Sequence, residues 1–453
     1  MRQFAKDLDL TKGNLFKNLI TFTIPFLLGN LFNSVYSAID LFFIDQFSDT
    51  ANMAAVSCGT TIIFAINSII LGLATGGTIV IGNLIGAKSK DTGKTTKAFA
   101  LYMTILTAAI VIIMLALFYP LIGWMKLEGE TARVARLYLL ILIIGLPFYS
   151  TYHSLGAVLK ANGNSRADFL FLAVAVIVNL VLDAVFIIPL KMGTVGAALA
   201  TTIGEVIGMF SAILYMRRVR FPYECPKGLI FDRNAFKHFA RSGVPIAIQD
   251  GLVIFSFAVI LAVIAVRGDN FTSAVGITDR VTSFGFAVLS AVGAAISTAA
   301  AQNTGAGNII NIKKYLKYGI LLSFAIGTIM TGLNILFAGN FAGLFAGSNS
   351  EARDIAKFYI MSTSLDLFVC SFVFSLNDTF LGAGHSVFCM TQNLVTTFAF
   401  RLPLAILFAK LDLPMFVIGL AYPLSTIFSL TICLIFYFSK KWTRNIEKNS
   451  VIN

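Results

Sequence analysis

Apolar runs long enough to cross a hydrocarbon core of about 30 Å recur twelve times along the chain. They cover roughly 17–46, 52–84, 96–121, 133–159, 167–189, 194–216, 236–267, 272–303, 315–339, 354–381, 387–410 and 414–439. No water satisfies backbone N–H and C=O groups inside a bilayer, so each run is expected to fold as a helix, which closes its hydrogen bonds within itself. A soluble core could not absorb the apolar surface of a chain with 57% hydrophobic residues, 12% charged residues and 42 Phe among 453. The expected fold is an all-α polytopic membrane protein of twelve transmembrane helices. The chain opens with a charged, amphipathic segment, and its first apolar run is too long for the core of a cleavable signal, so that span is expected to be retained.

The net charge of +12 does not read as nucleic-acid affinity, because the basic residues are sorted by loop. With the N-terminus inside, one face holds 24 of the 34 Lys and Arg residues and the other holds 8, while Arg280 and Arg401 lie within spans. That asymmetry predicts cytoplasmic termini and a multi-pass protein of a prokaryotic cytoplasmic membrane. Five cysteines, odd in number and without CxxC spacing, support neither disulfides nor a metal cluster. His153, His238 and His385 are scattered outside any zinc or nucleophile motif, so they read as packed or interfacial residues and no enzyme is expected. No cofactor is expected either.

An internal repeat organises the chain around the basic connection 217–234, at an offset near 220 residues. Pro25 matches Pro245, Ala55-Val56 matches Ala274-Val275, Gly86-Ala87 matches Gly305-Ala306, and Tyr138 matches Tyr359. The turn Ala-Asn-Gly163-Asn-Ser matches Gly-Ala-Gly384-His-Ser. Six spans per half is an even number, so the halves are parallel repeats related by a pseudo-two-fold axis along the membrane normal. The expected division is an N-terminal segment 1–16, a first lobe 17–216, a linker 217–235, a second lobe 236–439 and a tail 440–453.

Ionisable residues inside spans mark function, because a charge at the bilayer centre costs about 2.5–3.5 kcal/mol even on lenient insertion scales. Asp40 lies in the first span and Asp183 in the fifth. Tyr36 and Asp40 are four residues apart, as are Asn179 and Asp183, so each pair shares a helix face and can point into one cavity. The repeat places Ile260, Phe400 and Leu404 opposite Asp40, Asn179 and Asp183, which concentrates this chemistry in the first half. Such a set can share a proton, or hold Na⁺ through oxygen ligands with Thr201; the sequence leaves both open. The plainer reading keeps Asp40 and Asp183 as helix caps or as structural partners of Arg280 or Arg401. Glu205, Asp250, Asp366 and Asp378 are secondary acidic candidates, with Glu205 facing either the cavity or the helix bundle.

Six features in order resemble the multidrug and toxic compound extrusion (MATE) transporters. They are Pro25 with Asp40, Lys160-Ala-Asn-Gly-Asn-Ser, Asn179-Leu-Val-Leu-Asp183, Met192-Gly-Thr-Val-Gly-Ala-Ala-Leu-Ala-Thr201-Thr, Ala301-Gln-Asn-Thr-Gly-Ala306 and Arg401-Leu-Pro-Leu. The sequence is most similar to the DinF-like branch, although Asn83 and Leu381 stand where the family usually carries Gln and Arg. The resemblance implies that Asp40 and Asp183 take the coupling ion, with Tyr36, Tyr138, Asn179 and Thr201 around them. Any Na⁺ would sit among Asp40, Asn179, Asp183 and Thr201. It further implies a monomeric antiporter that exports cationic amphiphiles against H⁺ or Na⁺, with membrane lipids as its other partners. A lipid-linked oligosaccharide flippase of the same superfamily is the alternative, and would need basic residues in its cavity, for which only Arg280 and Arg401 are candidates.

Overall fold

The structure, a computed structural model, describes residues 8–47, 50–124, 129–347, 349–444 and 446. Side chains at 36–38, 40–47, 50–58, 61, 121, 124 and 130 also lie outside the description, and with them two expected site residues, Tyr36 and Asp40. The described residues contain no β-strand, and twelve of their helices are long and apolar enough to cross a membrane. These are α1 (Leu15–Phe47), α2 (Thr50–Gly86), α3 (Thr92–Ala116), α4 (Gly129–Ala161), α5 (Ser165–Ile187) and α6 (Gly193–Arg218) in the first half. The second half supplies α7 (Arg233–Ala265), α8 (Asp269–Gly305), α9 (Ile309–Leu336), α10 (Ser350–Gly382), α11 (Ser386–Lys410) and α12 (Met415–Phe438).

The repeat read from the sequence reappears in helix lengths. α1 and α7 each have 33 residues, α2 and α8 each have 37, and α4 and α10 each have 33. Short helices, Phe118–Trp124 and Ala338–Ala346, precede α4 and α10 in turn. The matched turns share backbone geometry too. Gly163 and Gly384 have φ of +82° and +85°, a left-handed conformation that costs glycine nothing. At the ends of α2 and α8 the left-handed position is Lys88 in one half and Gly307 in the other.

The chain forms two compact units that cut across the lobe boundaries expected from the sequence. Unit 1 comprises Met1–Asp9 and Leu28–Ala247, and unit 2 comprises Leu10–Leu27 and Ile248–Asn453. The linker thus belongs to unit 1, and α1 and α7 are each divided between units. The divisions fall two residues after Pro25 and two after Pro245, so the exchange obeys the same 220-residue repeat. A proline inside a helix lacks an N–H and crowds the carbonyl four residues earlier. That weak point lets the two halves of one helix follow different neighbours.

Within unit 1, Ile66, Ile70, Phe99, Leu139, Ile143 and Phe239 pack into one core. α2 and the first half of α7 approach backbone to backbone, because a side chain at Gly76 would collide with Gly243 and one at Gly72 would press on Ala247. Within unit 2, α8 packs on α10, where a Cβ at Gly382 would run into the carbonyl oxygen of Ser297. The Ala301–Ala306 stretch fastens the N-terminal segment to this unit. Leu10 is fully buried; its N–H donates to Gln302 Oε1 (3.2 Å), and its carbonyl accepts from Asn303 Nδ2 (3.0 Å) and Tyr315 Oη (2.9 Å).

Candidate ion-coupling site

α5 and α6 are held close by a glycine. A Cβ at Gly204 would come within 2.8 Å of the Ala175 carbonyl oxygen and 3.1 Å of Asn179 Cβ. This approach lets Asn179 Nδ2 donate to Thr201 Oγ1 at 3.3 Å. One turn further along α5, Asp183 is fully buried, and Asn179 is 3% exposed. The fourfold spacing therefore delivers both polar side chains to the buried side of α5, as the sequence required. Tyr138 on α4 is also buried, with its ring against Gly59 of α2, where a Cβ would lie 2.7 Å from it. The expected members with described side chains, Asn179, Asp183, Thr201 and Tyr138, thus all belong to unit 1. Tyr36 and Asp40 lie outside the described side chains, so their part in the set remains the sequence's expectation.

Glu205 faces α4. A Cβ at Gly145 would meet Glu205 Oε2 and Thr202 Oγ1, each at 3.0 Å, so the absent side chain makes room for the carboxyl. Tyr149 and Tyr152 lie on the same helix α4. Between those rings sits His153, with centroids 4.3 and 4.5 Å away. The packed role expected of this histidine is the one it has.

Unit 2 treats its three acidic candidates differently. Asp250 and Asp378 lie within electrostatic reach of each other. The Asp378 carboxyl lies directly against Gly293, where any Cβ would clash with it. Asp366 stands apart, 2% exposed, with Thr426 and Cys370 beside it and within the field of Arg401. Arg401 donates from Nε to Ser425 Oγ at 3.3 Å, and its guanidinium lies 5.4 Å from the Tyr422 ring and 5.8 Å from the Phe257 ring.

The local cause of this arrangement is a π-helical turn, Thr396–Arg401, in which Leu402 N–H reaches back five residues to Thr397 O. Pro403 follows, has no N–H, and would clash with a carbonyl in a tight helix; widening the turn accommodates it. The sequence offered Arg401 as a partner of the first-half acids or as a cavity cation, but gave no sign of Asp366 as its neighbour or of Tyr422 and Thr426. Pro403 two residues after a buried arginine was the available signal. Among the described residues, no three His, Cys, Asp or Glu side chains converge as a metal cluster.

The MatE family profile matches residues 25–185 and 245–407, one match on each repeat. The chain belongs to the MatE family. It is a transporter, not an enzyme. Among relatives of this MATE protein, the probable multidrug resistance protein YoeA of Bacillus subtilis (strain 168) is 25% identical over 447 residues, covering 96% of each chain. The probable multidrug resistance protein NorM of Thermotoga maritima is 24% identical over 445 residues, covering 96% of this chain and 94% of its own. The fold matches a solved outward-facing multidrug resistance MATE transporter of the MOP superfamily, with a TM-score of 0.91 at 20% identity over 98% of this chain and all of the other. A crystal structure of MATE in complex with MaL6 gives a TM-score of 0.90 at 21% identity, with 98% of this chain and all of that one covered.

Proposed function

We propose that this MATE protein is a secondary-active multidrug exporter of the DinF-like type. It expels cationic amphiphiles across a prokaryotic cytoplasmic membrane in exchange for H⁺ or Na⁺, with both termini inside. The observation that carries the reading is the set Asn179, Asp183 and Thr201 in unit 1, in which Asn179 and Asp183 are buried and Asn179 is bonded to half-buried Thr201. A fully buried carboxyl inside a span is costly unless a proton, a cation or hydrogen bonds compensate it. Asp183 and Asp40 are assigned to bind the coupling ion, Asn179 and Thr201 to supply neutral oxygens, and Tyr36 and Tyr138 to border the site. The names of YoeA, NorM and the staphylococcal MepA proteins support the multidrug substrate class.

In this scheme ion and drug compete energetically. Loading the unit-1 site from outside weakens drug binding and favours the return step. A membrane potential of about 100 mV contributes roughly 2.3 kcal/mol per charge moved, or about fiftyfold accumulation. The flippase alternative gains no support from Arg401, which is already engaged by Ser425, Tyr422 and Phe257.

The deciding experiment is efflux of a cationic dye from everted vesicles under separately imposed pH and Na⁺ gradients. Wild type should respond to one gradient, and Asp183→Asn and Asp40→Asn should each lose at least tenfold in coupled rate while inserting normally. Wild-type efflux in both variants would move the coupling site to Asp250 and Asp378.

A further inference from the structure

The connection between α6 and α7 carries more structure than a loop that serves only to orient the chain. Residues 217–241 contain seven basic side chains, Arg217, Arg218, Arg220, Lys227, Arg233, Lys237 and Arg241, against two acids, Glu224 and Asp232. All seven basic residues are exposed, whereas Asp232 is occupied by Lys94 Nζ at 2.7 Å. The segment is fastened to unit 1 along its length. Tyr223 Oη accepts from Asn162 Nδ2 at 3.0 Å, Lys97 Nζ reaches the Gly228 carbonyl at 3.5 Å, and Asp232 N–H donates to Tyr102 Oη at 2.8 Å. Asp232 Oδ1 also caps α7 through the N–H groups of Asn234 and Ala235.

In this fixed backbone Ile230 packs inward on the unit-1 core, while Leu229 and Phe231 on either side are 80% and 71% exposed. Holding two large apolar side chains in water on an anchored segment wastes the hydrophobic gain each would make on burial. Phe231 and the exposed Phe236 flank Tyr102, with centroids 6.5 and 5.1 Å away. Tyr102 shares its helix face with Ile105 and Ile112, the exposed apolar surface of a membrane-spanning helix. The apolar rim therefore continues the lipid-facing side of α3, and the cations surround it.

We propose that this connection is a docking surface for anionic phospholipid headgroups. Leu229 and Phe231 enter the acyl boundary, and Lys227, Arg233 and Lys237, with Arg217, Arg218 and Arg220, engage the phosphates. Anchored aromatic and aliphatic tips among cations are the pattern of an interfacial lipid contact. Each basic residue near an anionic surface contributes about fivefold in affinity. The inference rests on the membrane-spanning fold and not on the ion-coupling site.

The test uses the full chain in mixed micelles and in nanodiscs. Phosphatidylglycerol and phosphatidylcholine with the same acyl chains are compared for binding, and brominated phosphatidylglycerol is used to quench the indole introduced by Phe231→Trp, with wild-type emission subtracted. The expected result is at least tenfold tighter binding of phosphatidylglycerol, strong quenching, and a loss of selectivity of tenfold or more in Lys227→Gln/Arg233→Gln/Lys237→Gln. Equal binding of both lipids, unchanged selectivity in the triple variant, or no quenching would each overturn the proposal. Should the triple variant not insert, Leu229→Ser/Phe231→Ser must still lower phosphatidylglycerol binding, and a wild-type affinity there refutes the docking. Dye efflux driven in phosphatidylcholine alone leaves the coupling site standing whichever way the lipid result falls.

Discussion

Removing Arg401 should cost more than removing the Asp366 carboxyl that its field reaches. Arg401 is 9% exposed and Asp366 is 2% exposed, so neither side chain can turn to water. Arg401→Leu loses the bond to Ser425, the faces of Tyr422 and Phe257 and the field that reaches Asp366, and should cost about 2–4 kcal/mol. Asp366→Asn leaves Arg401 its bond to Ser425 and the faces of Tyr422 and Phe257, and should cost only about 1–2 kcal/mol. In the double variant the carboxyl that felt the arginine's field is gone as well, so the two single costs should exceed the double one by about 1 kcal/mol or more. The assay is a double-mutant cycle on unfolding in mixed detergent–SDS micelles, followed by circular dichroism, with insertion checked first. Additivity within about 0.5 kcal/mol would show that the two side chains do not depend on each other. The reading that the π-turn places Arg401 where its field acts on Asp366 would then fail.

Three further outcomes follow from the geometry. Gly382→Ala drives a methyl group into the Ser297 carbonyl and should lower stability by about 1–3 kcal/mol, whereas the same change at Gly332, which faces open space, should be nearly silent in the same unfolding assay. The hydrogen bond from Lys94 holds the Asp232 carboxyl below the usual carboxylate range, helped by the Ala235 N–H. The contribution of a group with a lowered folded-state pKa is whole above its ordinary value of 3.8 and is lost as pH falls through the folded one, so a spin label on exposed Cys225 should gain mobility only in strong acid. Lys94→Ala should produce that mobility at neutral pH. Asn303→Ala removes a donor from the buried Leu10 carbonyl and leaves Tyr315 as its remaining side-chain donor, so proteolysis at the N-terminal segment should accelerate several-fold, consistent with a loss of about 1 kcal/mol.

What could be read without a structure was what depends on one helix at a time. Run lengths gave the spans, and the constant offset gave a repeat that returned as equal helix lengths and as left-handed turns at Gly163 and Gly384. The fourfold spacing of Asn179 and Asp183 put both on one face of α5 before any neighbour was known. Which neighbours they would meet was not legible, because it depends on how closely two helices approach, and that is decided by glycines far away in sequence. Gly204 brings Thr201 to Asn179, and Gly145 turns the question of Glu205 into a contact with α4.

The sequence by itself determined a twelve-span, twofold-repeated MATE chain and the helix face that carries Asn179 and Asp183, since length, periodicity and composition act locally. Only the tertiary structure decided that Arg401 meets Ser425, Tyr422 and Phe257, that Asp378 lies against Gly293, and that α1 and α7 change units just after their prolines. Those outcomes rest on burial and on packing between segments distant in sequence, where the same arginine or proline has several partners of equal local merit and close packing selects among them.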